Sequence, residues 1–125
     1  MSRFLARDKR VVLGYLFGSV IGGHPGPLSD VDVAIYVKEK ISLRERGRMM
    51  MTLVKLLGVP RVDLVLLNSA SPVLKHEVIA YGKLIFCRDD GVLNDFEGGT
   101  MMEYLDTKYL RNVQFEYLRE KYKAV

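Results

Sequence analysis

A strand that must carry acid on one face and apolar residues on the other sets the tightest limit on this chain. After the apolar run Val11–Phe17 come Gly18 and Ser19, then ten residues to Asp30, then Val31, Val33, Ile35 and Val37 alternating from Asp30 and Asp32 onward. Residues two apart in a strand share a face, so the valines and the isoleucine fill a core while the two carboxylates stand together on the opposite side. The Gly-Ser pair falls at the end of a buried strand, where backbone and hydroxyl donors approach a phosphate closely. Paired carboxylates of this kind can hold magnesium, an ion that takes a few carboxylate oxygens plus water and substrate phosphates. A two-metal pair clamps the attacking and leaving oxygens of phosphoryl or nucleotidyl transfer. The run LFGSVIGGHPGPLSDVDVAIYV therefore reads as a nucleotide-phosphate and metal site.

The rest of the chain is well punctuated. Ser42-Leu43-Arg44-Glu45 forms a capping box, Met50, Leu53, Val54 and Leu57 follow helical spacing, and Gly58 with Pro60 supplies the stop. On that helix Arg44, Glu45, Arg46 and Arg48 read as a solvated face, and the methionines at 49–51 as core filling. Residues 61–67 alternate as a strand, with Val62, Leu64 and Leu66 on one face and Asp63 alone among apolar residues on the other. Ser71 and Pro72 open a short helix to Tyr81, Gly82 ends it, and Lys83–Cys87 is a further strand. From about residue 91 the chain is helical. Met102, Leu105, Tyr109, Val113 and Tyr117 form one stripe there, while Met101, Tyr104, Phe115, Leu118 and Tyr122 lie off it. This apolar excess fits either a helix lying across the sheet or a partner interface, including an oligomer formed through the C-terminal helix. Gly98-Gly99 marks either a break or a costly pair inside one long helix.

Strands alternating with helices predict an α/β (α+β) fold: one small domain over residues 1–125, with a mixed sheet flanked by helices. A net charge of +4 permits contact with phosphates, but the 19 Lys and Arg are scattered among 15 acids, so direct nucleic-acid binding is not indicated. The single cysteine, Cys87, leaves no internal disulfide or cysteine-based zinc site, and as part of an apolar run it reads as a small buried hydrophobe. With no signal peptide or long apolar span, the expectation is a cytoplasmic protein without membrane contact. His24 and His76 read as an exposed loop residue and a surface or packed imidazole.

Taken together, Gly18-Ser19, Ser29-Asp30-Val31-Asp32 and Asp63 on a later strand resemble the DNA polymerase β-type nucleotidyltransferase superfamily, and more narrowly its minimal branch, the MNT antitoxins. The resemblance runs over nearly the whole length, including the 103–109 segment EYLDTKY. It implies a polymerase β-like core with a C-terminal helix. Gly18 and Ser19, with Ser29, would bind the triphosphate of ATP, Asp30 and Asp32 would hold two Mg²⁺ ions, and Asp63 would be the third catalytic carboxylate, also able to share a metal. Asp63 could alternatively be a strand aspartate paired with Arg61 or Lys83. The chain departs from the family after Gly-Ser: related members commonly carry an Arg-Gly pair where Gly22-Gly23 stands here. Phosphate affinity should therefore be weaker, although a glycine nest still presents N–H donors.

The family implies transfer of AMP from ATP to a hydroxyl, a tyrosine, of a HEPN-type ribonuclease toxin, with this chain as its antitoxin. A short chain with no further domain to enclose a small acceptor suits a protein hydroxyl. Two other readings stand beside it: an antitoxin that neutralises its toxin by covering it, and a small-molecule nucleotidyltransferase working with a helical companion subunit. Retention of all three carboxylates argues against the first, since a site without function should lose clustered acids early.

Overall fold

A computed structural model describes residues 2–17 and 31–123. In chain order the elements are α1 (Ser2–Arg7), β1 (Val11–Phe17), β2 (Val31–Val37), α2 (Leu43–Leu57), β3 (Val62–Leu66), a 3-10 turn (Leu67–Ser69), α3 (Pro72–Tyr81), β4 (Lys83–Cys87) and α4 (Asp90–Lys123). The four strands form one mixed sheet in the order β3-β2-β1-β4. β1 runs antiparallel to both neighbours, and β2 and β3 are parallel. That parallel pair needs a crossover, and α2 supplies it.

The pleat sorts the sheet's side chains into two cores. Val31, Val33, Ile35 and Val37 of β2, with Val62 and Leu64 of β3, meet Leu5 of α1 and Met49 and Leu53 of α2 on one face. Leu13, Tyr15 and Ala34 meet Leu67 and Val78 on the other, with Val92, Leu93 and Phe96 of α4 packed against them. Each fully buried Leu, Ile or Val contributes about 1.5–3 kcal/mol relative to exposure, which makes the sheet the rigid frame of the molecule. α1, which no periodicity in the sequence announces, is held by tertiary contact. Leu5 is fully buried over Gly14, where a Cβ would lie 2.5 Å from the leucine Cδ1, so a side chain at that position of β1 would displace Leu5.

The caps of α2 and α3 form as the sequence predicts. Ser42 Oγ accepts from the Glu45 N–H at 3.1 Å and donates to Glu45 Oε1 at 3.0 Å, and Gly58 ends the helix with its N–H on the Val54 carbonyl. Ser71 caps α3 through the Leu74 N–H at 3.1 Å, with Pro72 in the first turn. The expectation of a wholly solvated charged face on α2 does not hold. Glu45 pairs with Arg10 at 2.6 Å, and Arg46 reaches the edge strand, its Nε donating to the Leu64 carbonyl at 3.1 Å. That carbonyl faces outward from an edge strand, and the guanidinium satisfies it. The methionines divide likewise: Met49 is buried, but Met51 is 63% exposed.

α4 is a single helix of 34 residues, about 51 Å long, and runs through Gly98-Gly99 without a break. Its sheet-facing side is Val92, Leu93, Phe96 and buried Thr100, not the stripe expected from the sequence. Met102, Leu105 and Tyr117 of that stripe are 70%, 54% and 68% exposed. Tyr104 is not a surface residue either: its ring stacks on His76 at 3.7 Å, beside a Lys75–Glu103 ion pair at 3.2 Å. Every described side chain from Lys108 to Lys121 is exposed. No helix among the described residues is long and apolar enough to cross a membrane.

Candidate active site

Strand polarity brings three chain ends to one edge of the sheet. β1 ends at Phe17, which pairs in register with Asp32, and Asp32 pairs in register with Asp63 on the parallel strand β3. The starts of β2 and β3 are tied by the Val31 N–H to the Arg61 carbonyl at 3.4 Å. Val31 and Val33, like Val62 and Leu64, point into the core under α1 and α2, so alternation sends Asp32 and Asp63 to the opposite face. Register partners on neighbouring strands lie about 4.8 Å apart, and the two carboxylates thus stand side by side at the start of their strands. Asp32 is half-buried and Asp63 is exposed.

Of the other predicted site residues, Gly18, Ser19, Ser29 and Asp30 lie outside the described residues, as do Gly22-Gly23 and His24. In sequence Gly18 follows directly on Phe17 and Asp30 directly precedes Val31, so both attach to this sheet edge. Among the described residues no group of three or more metal-ligating side chains occurs. The donor chemistry there is two hard carboxylates on one face, which suits Mg²⁺ rather than a soft metal.

Asp63 does not occupy a closed apolar face, because it sits at the exposed beginning of an edge strand. Lys83 is excluded as its partner by topology. It starts β4 on the far side of β1, three strand spacings or about 14 Å away. At that same end Gly82 closes α3 against β1, where a Cβ would collide with the Val78 carbonyl and lie 3.3 Å from the Leu16 carbonyl. The expected inert role of Cys87 agrees with its half-buried position, where burial pushes its thiol above the ordinary range.

One feature beside the acids is not announced by any motif. A pocket of about 330 Å³ lies between α2 and the start of β3, lined by Met50, Met51, Val54, Pro60, Arg61, Val62 and Asp63. Its only trace in the sequence is a third consecutive methionine that a helix cannot bury together with the first.

The sequence model of the family described as polymerase beta, nucleotidyltransferase matches residues 1–91. No curated protein matches. Among solved structures, a chain of a toxin-antitoxin complex with AMP-PNP is similar at 28% identity and a TM-score of 0.76, covering 94% of both chains. Tri-AMPylated Shewanella oneidensis HEPN toxin in complex with MNT antitoxin gives 27% identity and a TM-score of 0.71, over 94% of this chain and 92% of that one. The MntA-HepT toxin-antitoxin structure is similar to the same degree, 27% and 0.71 over 94% and 92%. With a nucleotidyltransferase sequence pattern over most of its length and the matching mixed sheet beneath it, the chain belongs to the polymerase beta nucleotidyltransferase family.

Proposed function

We propose that this nucleotidyltransferase is the antitoxin of a toxin-antitoxin pair and transfers AMP from ATP to a tyrosine hydroxyl of a HEPN-type ribonuclease toxin. The observation that carries the reading is the in-register placement of Asp32 and Asp63 on one face, at the edge where the Gly18-Ser19 and Ser29-Asp30 segments join the sheet. The solved relatives add support, since one contains an AMPylated HEPN toxin beside an MNT antitoxin and another holds AMP-PNP.

The residue roles are those that the family resemblance implies. Gly18, Ser19 and Ser29 offer donors to the triphosphate, and Asp30 and Asp32, joined by Asp63, would hold two Mg²⁺ ions. Those ions would supply neutralisation of the phosphate charge. Asp63, exposed on the edge strand, faces arriving substrate and accepts the proton of the attacking hydroxyl. The acceptor oxygen bonds to the α-phosphorus of ATP, the bond from that phosphorus to its bridging oxygen breaks, and pyrophosphate leaves with the electron pair. Dependence on ATP and a ribonuclease target suit a reaction in the cytoplasm.

The acceptor must come from another molecule, and the second half of α4 suits its docking. Leu110, Phe115, Tyr117 and Leu118 are exposed there, amid Lys108, Arg111, Arg119 and Lys121 against only Glu116 and Glu120. A helical partner with an apolar and acidic surface fits that composition. The test is to mix the protein with the toxin encoded beside it, Mg²⁺ and ATP, and to follow the toxin by intact mass. Gain of one or more AMP units, lost with Asp32→Asn, is expected. A complex that silences the toxin without a mass change, and does so equally with Asp32→Asn, would mean neutralisation by covering.

A further inference from the structure

Cations that look scattered along the sequence are gathered by the fold. α1 and α2 lie on the sheet face opposite Asp32 and Asp63, where Leu5 of one and Met49 and Leu53 of the other share a core. An open cleft of about 480 Å³ runs between them, lined by Phe4, Arg7, Asp8, Lys9, Met49 and Thr52. Arg44, Arg48, Thr52 and Lys55 follow one another along α2 at steps of four, four and three residues, and all are exposed, so they form one row turned from the core. Arg3, one turn before Arg7, extends the cationic side of α1. α1, the turn after it and α2 hold eight cations against two acids, Asp8 and Glu45, and Arg10 bonds both of these at 2.8 and 2.6 Å. The side chains of Arg3, Arg7, Lys9, Arg44, Arg48 and Lys55 make no hydrogen bond or ion pair with any described residue. A merely solvated face usually alternates its signs. Here Arg3 with Arg7, and Arg44 with Arg48, set like charges four residues apart, an arrangement that weakens a helix and that a seated anion relieves.

We propose that this face binds the backbone of a nucleic-acid duplex, independently of base sequence and of the transfer chemistry on the other face of the sheet. Four of the six cations left without a partner among the described residues are arginines, whose planar fork takes phosphate oxygens in pairs. The row from Arg44 to Lys55 is about 16.5 Å long, and a duplex presents about ten phosphate charges over that distance. The one aromatic residue of the two helices, Phe4, packs against the core, so no ring is left on which the bases of a single strand could stack. In sequence order β1 and β2 separate the two cationic segments, which is why composition alone gives no sign of such binding.

The test is fluorescence anisotropy with a labelled DNA duplex of about 20 base pairs and the RNA duplex of the same sequence. Both should bind saturably at low salt, with affinities within about threefold of each other. For DNA, the logarithm of the binding constant should fall with the logarithm of salt concentration at a slope of about −5, as neutralisation of six phosphates gives. Arg7→Ala with Arg48→Ala should reduce that slope by about 2 in magnitude and weaken binding at least about tenfold at low salt, with the melting temperature kept. Arg119→Ala with Lys121→Ala removes the same charge from the exposed end of α4 and should leave affinity within about twofold of the original. No saturable duplex binding, or equal losses in the two double variants, would overturn the proposal. So would poly-glutamate or phosphatidylglycerol vesicles displacing the label as well as unlabelled duplex does, which would assign the face to an acidic protein or to a membrane surface.

Discussion

Asp32 and Asp63 stand in register yet differ in exposure, and the difference separates their expected contributions. Asp32 is half-buried next to the loop that would carry the triphosphate, so its loss should be felt in the ground state. Calorimetry on Asp32→Asn should show ATP affinity in Mg²⁺ falling together with transfer. Asp63 is exposed at the start of the edge strand. Asp63→Asn should therefore cut single-turnover transfer on the order of 100-fold or more while nucleotide affinity stays near its original value, as removal of a general base does. Equal losses in binding and rate would make Asp63 a metal ligand in the ground state, and no loss in either would leave it a surface aspartate. The two acids are legible in the amino-acid sequence, but their pairing is not. The sequence puts Asp63 on a strand one helix after Asp32, whereas the parallel pairing and the register that align the two come from the structure.

At the scale of elements, legibility follows the strength of local chemistry. β1, α3 and β4 have the bounds that apolar runs, Ser71-Pro72 and Gly82 indicate, because their signals lie within a few residues. α1 gives no such signal, since its six residues depend on Leu5 settling over Gly14 from a neighbouring strand. In α4 the sequence pattern points the wrong side inward for a related reason. Amphipathic spacing reveals apolar faces but not which one meets the body, and the packed face contains Thr100 while the richer stripe points outward. The glycine pair in α4 is open to a direct test. A Cβ at Gly98 or Gly99 would meet nothing within 4 Å among the described residues, so no close approach among them requires glycine. Gly98→Ala and Gly99→Ala should each stabilise the protein by roughly 0.4–1 kcal/mol, read as a higher melting temperature. A second element-level prediction concerns acid. The Arg10 guanidinium bonds both Asp8 and Glu45, tying the turn after α1 to the start of α2, and it holds both carboxyls below their usual range. Depressed carboxyl values contribute stability that is complete above the ordinary range, near pH 4, and is lost as pH falls through the lower folded values. Urea unfolding between pH 6 and pH 3 should show that loss, and Arg10→Met should flatten this part of the profile.

The molecule as a whole is a sheet packed between helices from which the second half of α4 extends beyond its own core. An exposed helix of this length with apolar residues on several sides gains little from the body it is attached to, so it is held chiefly by its own backbone ladder and by partners. Phe115 and Leu118 are 66% and 47% exposed, on a stretch where every described side chain is exposed. Surface changes at such positions usually alter stability by about 0.5 kcal/mol or less. Phe115→Lys with Leu118→Lys should accordingly leave the melting temperature and the slow hydrolysis of ATP unchanged. Modification of the toxin should respond far more. Holding two reactants in line contributes about 7–11 kcal/mol to reactions of this kind, and if residues 18–30 bind the triphosphate as proposed, Gly22-Gly23 in place of a basic residue would leave much of that to the interface. The double variant should slow AMP transfer to the toxin at least about tenfold at subsaturating toxin, with the rate recovering as toxin concentration rises, because docking rather than chemistry has been weakened. Transfer at the original rate at every toxin concentration would place the docking surface elsewhere on the molecule and leave the exposed half of α4 without a part in the reaction.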